Sequence, residues 1–317
     1  MLRPVELMNG ITKDYKDLNK NINIFISDKG AGLPDWPEWC FLPVAAWYSI
    51  VSNRFAVDFL SPQQSAEVAK IAAVGTWRYS QGYYDFDPWL YAELAKTEMT
   101  DELPVDVLYR LPEWCVYIKT PFAAWFNNVL FGFFASLEYD VKTQKPELRL
   151  LLDTDVDGLI SLPLHIEKGN VKDAIQGMID YSAGNFKALK LINNKTWEAH
   201  RDEIAQYLSP ILSAILYLCS NEPELDSGRE KGKSGYAKPK STKGGKKFFP
   251  AEKPVVFKVG TVIGEKLREY EEKIDNSEFA GKKRPHLRRA HYHGFWTEKG
   301  RSKFVYKWIA PVFVGGE

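Results

Sequence analysis

Four runs of β-branched, aromatic and aliphatic residues follow one another through the middle of the chain. They occupy residues 115–119, 129–139, 147–153 and 159–166. The breaks between them contain Asn127-Asn128, residues 142–146 and Asp157-Gly158, all of which favour turns. Strands joined by such short breaks pair with their neighbours in antiparallel order. The pattern predicts an antiparallel meander at the centre of the fold.

Helical patterns stand on both sides of this meander. Ser61-Pro62 and Asp87-Pro88 each place a capping residue before a proline that suits the first helical position. After the meander, residues 171–181 and 198–219 have helical spacing, and Pro210 predicts a kink or a split in the second helix. We therefore predict an α+β fold with a central antiparallel sheet packed with helices.

The chain closes with a pattern typical of a β-hairpin, in which two runs with a period of two flank Gly300. Alternation divides the first run into Arg289, His291, His293 and Phe295 on one face and Ala290, Tyr292 and Trp296 on the other. It divides the second run into Phe304, Tyr306 and Trp308 on one face and Val305, Lys307 and Ile309 on the other. A predicted strand at 254–259 and a charged helix at 264–274 precede this basic hairpin.

Charge is divided unequally along the chain, although the formal net charge is only +1. Residues 225–317 hold 22 Lys and Arg against 11 Asp and Glu, whereas residues 1–224 hold 20 against 30. A basic C-terminal part beside an acidic body fits contact with nucleic acid, a ribosome or an acidic peptide. It fits neutralisation within the molecule equally well.

Residues 226–250 combine high charge with low hydrophobicity. Between Arg229 and Phe249 there are eight Lys and Arg and one Glu, separated by Gly, Ser and Pro. This composition predicts a basic flexible linker or loop. The predicted regions are thus a mainly helical region at 1–110, the sheet with helices at 111–225, the linker at 226–250 and a basic strand-helix-hairpin region at 251–317.

The three cysteines, Cys40, Cys115 and Cys219, are widely spaced among apolar residues. This spacing indicates buried free thiols in a reducing cytosol and not a disulfide framework or a CxxC metal site. No apolar run approaches the roughly 18 residues of a membrane span, and the N-terminus lacks a signal-peptide pattern. We therefore expect a cytoplasmic protein with no membrane partner.

Guanidinium, imidazole and aromatic groups are concentrated on the predicted hairpin, where they suit contact with phosphate, carboxylate, nucleobase or peptide. The candidate binding residues there are Arg288, Arg289, His291, His293, Trp296, Lys307 and Trp308. Upstream, Trp114 opens a predicted strand as a candidate peptide contact, with Glu113 at a charged rim. A core position is the favoured alternative for both.

Three aspartates raise the question of a metal. Asp153, Asp155 and Asp157 match the first half of a calcium loop, but Leu164 stands where that loop needs a bidentate acid. The same aspartates are alternative ligands for a two-metal nuclease. We favour a solvated turn.

Three histidines, His286, His291 and His293, are alternative ligands for zinc, although adjacent arginines repel a dication. A metal-free ribonuclease using His291 or His293 as base is a further alternative. Because nothing in the sequence supplies a second catalytic partner, we predict a binding surface with no metal, no cofactor and no catalytic residue.

Two segments of the chain echo one another. LPDWPEWCFLPVAAW at 33–47 and LPEWCVYIKTPFAAW at 111–125 share PEWC and, further on, Pro, a bulky residue and Ala-Ala-Trp. This similarity reflects either an old duplication or a coincidence between aromatic-rich segments. We favour coincidence, since the sequence between the two copies does not match.

Six motifs occur in the order known from one family. They are LPEWCVYI (111–118), LLLDTDVD (150–157), ILYLCSNEPEL (215–225), FKVGTVIGEKLREYE (257–271), PHLRRAHYHGFW (285–296) and FVYKWIAPVFV (304–314). Together they resemble the second family of type V-A anti-CRISPR proteins, which are phage- and plasmid-borne inhibitors of the type V-A CRISPR effector nuclease. The resemblance covers roughly residues 111–314.

This resemblance implies an inhibitor that lowers production of the effector. It implies recognition of the effector's N-terminal peptide as that peptide leaves the ribosome, followed by loss of the mRNA. The implied partners are that peptide and the ribosome or mRNA. Two other classes stay open, a ribonuclease that cuts the mRNA itself and a direct inhibitor that binds the folded effector.

Overall fold

The layers of the molecule follow from one strand that is buried on both faces. In the computed structural model, Phe133 and Ala135 of β3 (Asn128–Asp140) lie in one apolar core, and Phe134 lies in a second core. Since successive side chains of a strand point to opposite faces, both sides of the sheet need a covering layer. The structure describes residues 1–98, 103–167, 169–188, 194–226, 236–243, 245–275 and 286–314.

The main sheet is mixed, with the predicted meander as its larger part. Its strands are β1 (Gly82–Phe86), β2 (Cys115–Trp125), β3, β4 (Lys145–Thr154), β5 (Leu159–His165), β6 (Leu225–Asp226) and β9 (Val255–Val259). They lie in the order β5-β4-β3-β2-β1-β9-β6. Strands β2 to β5 pair antiparallel, which confirms the meander. Strand β1 was not predicted from the sequence, and it pairs in parallel with both β2 and β9.

Short strands form three further pairs in the described part of the chain. They are β7 (Lys240–Thr242) with β8 (Gly245–Lys247), β10 (His286–Arg288) with β13 (Val312–Val314), and β11 (His291–Thr297) with β12 (Lys303–Ile309). The pair β11–β12 is the predicted C-terminal hairpin. The predicted α+β fold with a large sheet, packed helices and a closing hairpin is therefore confirmed.

The described residues form eight α-helices. They are α1 (Arg3–Asp14), α2 (Leu18–Asp28), α3 (Val44–Phe55), α4 (Pro62–Trp77), α5 (Pro88–Lys96), α6 (Val171–Ala188), α7 (Asn194–Cys219) and α8 (Thr261–Asp275), with a 3-10 turn at Val105–Arg110. Ser61 and Gln64 form a reciprocal capping box at α4, and Asp87 accepts from the first amides of α5. Helix α7 runs on through Pro210, so the predicted split does not occur.

The helices divide between the two faces of the sheet. Helices α1 to α4 contribute the core on one face, and α5, α6, α7 and the hairpin contribute the core on the other. No helix in the described ranges is both long and apolar enough to cross a membrane. The sheet draws β1 from the predicted region 1–110, β2 to β5 from 111–225 and β9 from 251–317.

Part of the predicted linker at 226–250 packs against the body of the molecule. Residues 227–235 and 244 lie outside the described residues. In the remainder, β7 and β8 form a small hairpin, and Phe248 exchanges hydrogen bonds with Asn23 of α2. The described part of this segment is therefore anchored to the N-terminal helices.

Candidate functional site

An aromatic groove lies between the N-terminal helices and the start of β2. We define the aromatic groove by the rings of Trp36, Phe41, Trp114, Tyr236 and Phe248, which line a cavity of about 960 Å³. These residues come from the loop before α3, the residue before β2 and the segment around β7 and β8. A concave, largely apolar site of this size suits a small molecule or several side chains of a peptide.

Trp114 is the centre of the groove. Its indole Nε1 donates a hydrogen bond to the backbone oxygen of Glu38 at 2.9 Å, which fixes the ring orientation. The ring of Phe41 lies 4.9 Å from it, and the ring of Tyr236 stacks on it at 5.0 Å and 8°. Trp114 is 7% exposed, whereas Tyr236 is 37% exposed. Tyr236 therefore forms the outer wall of the groove.

Phe248 also lines the groove, and α2 holds it in place. The side-chain amide of Asn23 donates to the backbone oxygen of Phe248 at 3.3 Å and accepts from its amide at 3.0 Å. The Phe248 ring meets Trp114 edge-on at 5.4 Å and Phe41 edge-on at 6.0 Å. Both backbone groups of Phe248 are thus satisfied by one side chain, so the residue has a defined position.

Charged groups stand at the rim of the groove. Lys29 Nζ lies 2.6 Å from a carboxylate oxygen of Glu38 and 3.8 Å from one of Asp35. The same ammonium lies 5.2 Å from the ring centre of Trp36. Because the Glu38 side chain is 92% exposed, its carboxylate remains open to a ligand. The groove can therefore hold bulky apolar groups in its interior and polar groups at its edge.

The C-terminal hairpin forms a second candidate surface. Its register pairs His293 with Lys307 and Phe295 with Val305, so these four residues share one face. We define the outer face as His291, His293, Phe295, Val305, Lys307 and Ile309. The inner face carries Tyr292, Phe304, Tyr306 and Trp308, all buried. This confirms the division predicted from alternation.

Helix α7 holds the inner face of the hairpin. The hydroxyl of Tyr292 donates to the backbone oxygen of Ser213 at 3.1 Å, and that of Tyr306 donates to Leu216 at 2.8 Å. Arg110 donates to the backbone oxygen of Phe304 at 2.6 Å. The hairpin is therefore fixed to the body, and its outer face points to solvent.

Residues 84–316 match the family described as AcrVA2-like, the anti-CRISPR type V subtype A2 family. The chain belongs to the anti-CRISPR type V subtype A2 family. A solved structure titled "Crystal structure of AcrVA2" superposes with a TM-score of 0.68 at 21% identity, covering 99% of this chain and 100% of that chain. At that identity the likeness shows the fold. No curated protein matches this A2-family chain in sequence.

The aromatic groove of this A2-family chain crosses the boundary of the matched range. Trp114, Tyr236 and Phe248 lie within residues 84–316, whereas Trp36 and Phe41 precede them. The family match therefore includes three of the five rings, and the loop between α2 and α3 supplies the other two.

Two predicted binding residues of this A2-family chain are buried. Trp308 lies on the inner face of the hairpin, where its Nε1 donates to Thr97 Oγ1 at 3.1 Å. Glu113 is not at a charged rim, because it is only 4% exposed and packs against Gly82. A Cβ on Gly82 would lie 2.1 Å from Glu113 Oε2. Both residues act in packing, since neither side chain reaches the surface.

The remaining predicted residues are accessible, apart from Trp114 in its groove. Arg288, Arg289, His291 and His293 are exposed. Trp296 is 53% exposed. Lys307 lies on the outer face and pairs with the carboxylate of Glu222. The fold thus brings the predicted hairpin residues together, but it places Trp114 in a separate site.

Burial raises the pKa of Glu113 to about 8, although hydrogen bonds from Ser80, the Gly82 backbone and Tyr84 oppose the shift. In the unfolded chain the Glu113 carboxyl loses its proton near the ordinary pKa of 4.5, whereas in the folded chain it keeps the proton up to about pH 8. Between these values the folded state binds the extra proton, so its stability falls as pH rises, by up to about 1.4 kcal/mol per pH unit.

We expect Glu113→Gln to remove this pH dependence. The variant should match the native chain near about pH 5 and exceed its free energy of unfolding by about 2 kcal/mol or more near about pH 8. Urea unfolding at both pH values measures the difference, with the exposed Glu252→Gln as control. An equal difference at both pH values would contradict the prediction.

The acidic triplet of LLLDTDVD has structural partners. Asp153 accepts two hydrogen bonds from Arg3, at 2.8 and 2.6 Å, and one from the Tyr117 hydroxyl at 3.0 Å. Asp155 accepts from the backbone amide of Val129, while Asp157 accepts from a side-chain amide. Within the described residues, no three or more His, Cys, Asp and Glu side chains are grouped to hold a metal ion. These carboxylates therefore build the β4–β5 turn and its anchor.

Sequence reasoning missed most of the groove. Of the five rings, Trp114 was a predicted binding residue, whereas Tyr236 and Phe248 were not predicted, because both stand within the basic segment at 226–250. The available signal was the aromatic residues that interrupt this Lys-rich segment, since a solvated linker has few of them.

Proposed function

We propose that this A2-family protein lowers production of the type V-A CRISPR effector nuclease by binding the effector's N-terminal peptide in the aromatic groove. Binding to the nascent peptide at the ribosome then promotes loss of the effector mRNA. The action takes place in the cytoplasm of the bacterial host, where the effector is translated. The partners are the N-terminal peptide and the ribosome or mRNA.

The observation that carries this proposal is the groove itself. It offers five aromatic rings around a cavity of about 960 Å³. Rings of this kind are the main anchors at peptide and protein interfaces, because they bury a large area with little loss of side-chain entropy. A peptide side chain that enters this cavity would contact several of these rings.

A nascent peptide fits this site better than a folded surface does. An unfolded segment presents its side chains alternately along an extended backbone, so single residues can enter a narrow groove. Lys29 and Glu38 line the same cavity, where they would provide partners for polar groups of the peptide backbone.

The decisive experiment is calorimetric titration of the purified full-length protein with a synthetic peptide of the effector's N-terminus. We expect specific binding with a Kd of about 1 μM or tighter, which is about −8 kcal/mol. A scrambled peptide is the control. Absence of binding would overturn the groove as the recognition site.

Two further outcomes separate the alternatives. Tight binding to the folded, guide-loaded effector without binding to the peptide would identify a direct inhibitor. Cleavage of the mRNA by the purified protein without ribosomes would identify a ribonuclease. Either result would replace the proposed mechanism.

A further inference from the structure

We propose that the outer face and tip of the C-terminal hairpin bind single-stranded RNA through stacked bases and phosphate contacts. We define the tip as Trp296, Thr297, Glu298, Lys299, Gly300, Arg301, Ser302 and Lys303. That the RNA is the effector mRNA rests on the proposed function. The binding of single-stranded RNA itself rests on the surface described below.

Aromatic rings are set in a row along β11. His291, His293 and Phe295 occupy alternate positions of one strand, so they project from the same face at intervals of about 6.8 Å. The rings of His293 and Phe295 are 5.6 Å apart. Phe295 is 42% exposed. Trp296, which is 53% exposed, projects from the other face of the strand, where its ring lies 5.2 Å from that of Phe304. Exposed rings in a row provide stacking platforms that accept any base.

Positive charge surrounds these rings. Residues 286–314 contain six Lys and Arg, at 288, 289, 299, 301, 303 and 307, and a single acid, Glu298. Arg288 and Arg289 stand at one end of the ring row, and Lys299, Arg301 and Lys303 stand at the tip beyond the other end. Cations at both ends of a stacking row match a backbone whose phosphates flank its bases.

The platform is already in place before any RNA binds. Tyr292 and Tyr306 fix its inner face to α7 through their hydroxyls. At the tip, Glu298, Gly300 and Arg301 all have positive φ, and Arg301 N donates to Glu298 O at 3.1 Å, so the turn is closed. Little conformational entropy is therefore lost when a ligand binds this surface.

The same chemistry favours RNA over a protein partner. A protein interface has a contiguous apolar centre from which charged residues are depleted. On the outer face, the exposed ring of Phe295 is next to His293, which lies across from Lys307. At the tip, the exposed ring of Trp296 precedes Lys299 and Arg301 in the chain. Such interleaving of rings and cations is typical of surfaces that bind single strands.

The test is fluorescence anisotropy of the full-length protein with a labelled, unstructured single-stranded RNA of about 12 nucleotides. We expect His293→Ala with Phe295→Ala to weaken binding about tenfold or more, because two stacking rings are lost. Phe59→Ala is the matched control, since it removes an 87% exposed ring from the N-terminal half. A wild-type affinity in the double variant would overturn the proposal.

A second variant tests the phosphate contacts. Replacing Lys299, Arg301 and Lys303 by alanine should reduce the slope of log affinity against log salt by about 2. The control replaces the exposed Lys13, Lys16 and Lys20, which changes the net charge equally. An equal loss of RNA affinity in both variants would overturn the proposal, because it would show nonspecific electrostatic attraction. An affinity for duplex RNA equal to that for single-stranded RNA would also overturn it. Binding of RNA only through a copurified protein would do the same.

Parallel titration with the effector peptide keeps the two proposals separate. The hairpin variants should bind the peptide as the native chain does, and Tyr236→Ala should bind RNA normally. In the native chain, RNA binding without peptide binding would count against the groove alone. Peptide binding without RNA binding would count against the hairpin surface alone.

Discussion

Trp114→Ala is expected to lower the affinity for the effector's N-terminal peptide by about 100-fold or more, the effect of removing a hot-spot tryptophan. The indole contacts Phe41, Tyr236 and Phe248, so its loss takes the centre out of the groove. Calorimetry measures the affinity, and the amount of effector protein in cells measures inhibition. We expect the affinity to fall and the amount of effector protein to rise, because inhibition is lost.

Because Trp114 is 7% exposed, its removal also lowers stability, and a milder variant separates the two effects. Tyr236→Ala removes a ring that is 37% exposed and stacks on Trp114, so we expect about tenfold weaker binding with little change in unfolding. Trp89→Ala, with a 36% exposed ring on α5, is the matched control. Native affinity in a folded Tyr236→Ala or Trp114→Ala protein would contradict the groove.

Arg3→Ala is expected to lower the free energy of unfolding by about 3 kcal/mol. Asp153 is 1% exposed, and its carboxylate accepts two hydrogen bonds from the Arg3 guanidinium. Without Arg3, the Tyr117 hydroxyl remains as a hydrogen-bond donor to the buried Asp153 carboxylate within the described part of the chain. Since Arg3 is the first residue of α1, this pair also fastens that helix to β4.

Arg3 and Asp153 differ in exposure, so removing either one should cost a different amount of stability. The Arg3 side chain is 41% exposed, so water can solvate it in Asp153→Asn, and we expect that variant to lose less stability than Arg3→Ala. The double variant should lose less than the sum of the two single variants. Lys13→Ala, an exposed cation on the same helix, is the control in urea unfolding. Equal losses in Arg3→Ala and Lys13→Ala would contradict the anchor.

Local chemistry made much of the fold predictable. Ser61-Pro62 and Asp87-Pro88 mark the starts of α4 and α5 because a cap and a proline act within one helical turn. The strands of the meander are predictable because each has an apolar run bounded by turn residues. Helices α1 and α2 were not predicted, because no side-chain cap marks the start of either one; Ile11, Leu18 and Ile22 are buried there.

The two candidate sites differed in how far the sequence could reveal them. The hairpin surface is local, because its residues all lie within residues 286–314 and alternation alone assigns their faces. The aromatic groove joins Trp36, Trp114 and Phe248, which are far apart in the chain. No local pattern connects such positions, so they can be grouped only when the sheet and its helical layer are known.

The repeated segment shows what the sequence by itself determined and what it left to the tertiary structure. Capping residues, turn residues and alternation determined the meander, two helix starts and the faces of the hairpin. Pro-x-Ala-Ala-Trp occurs twice, yet Trp47 closes it within helix α3 and Trp125 closes it within strand β2. In the first copy the chain packs as a helix over the sheet, and in the second Ala124 and Trp125 pair with β3. The intrinsic helix and strand propensities of five residues are too small to determine their conformation. The tertiary contacts that bury these residues therefore determine whether they form a helix or a strand.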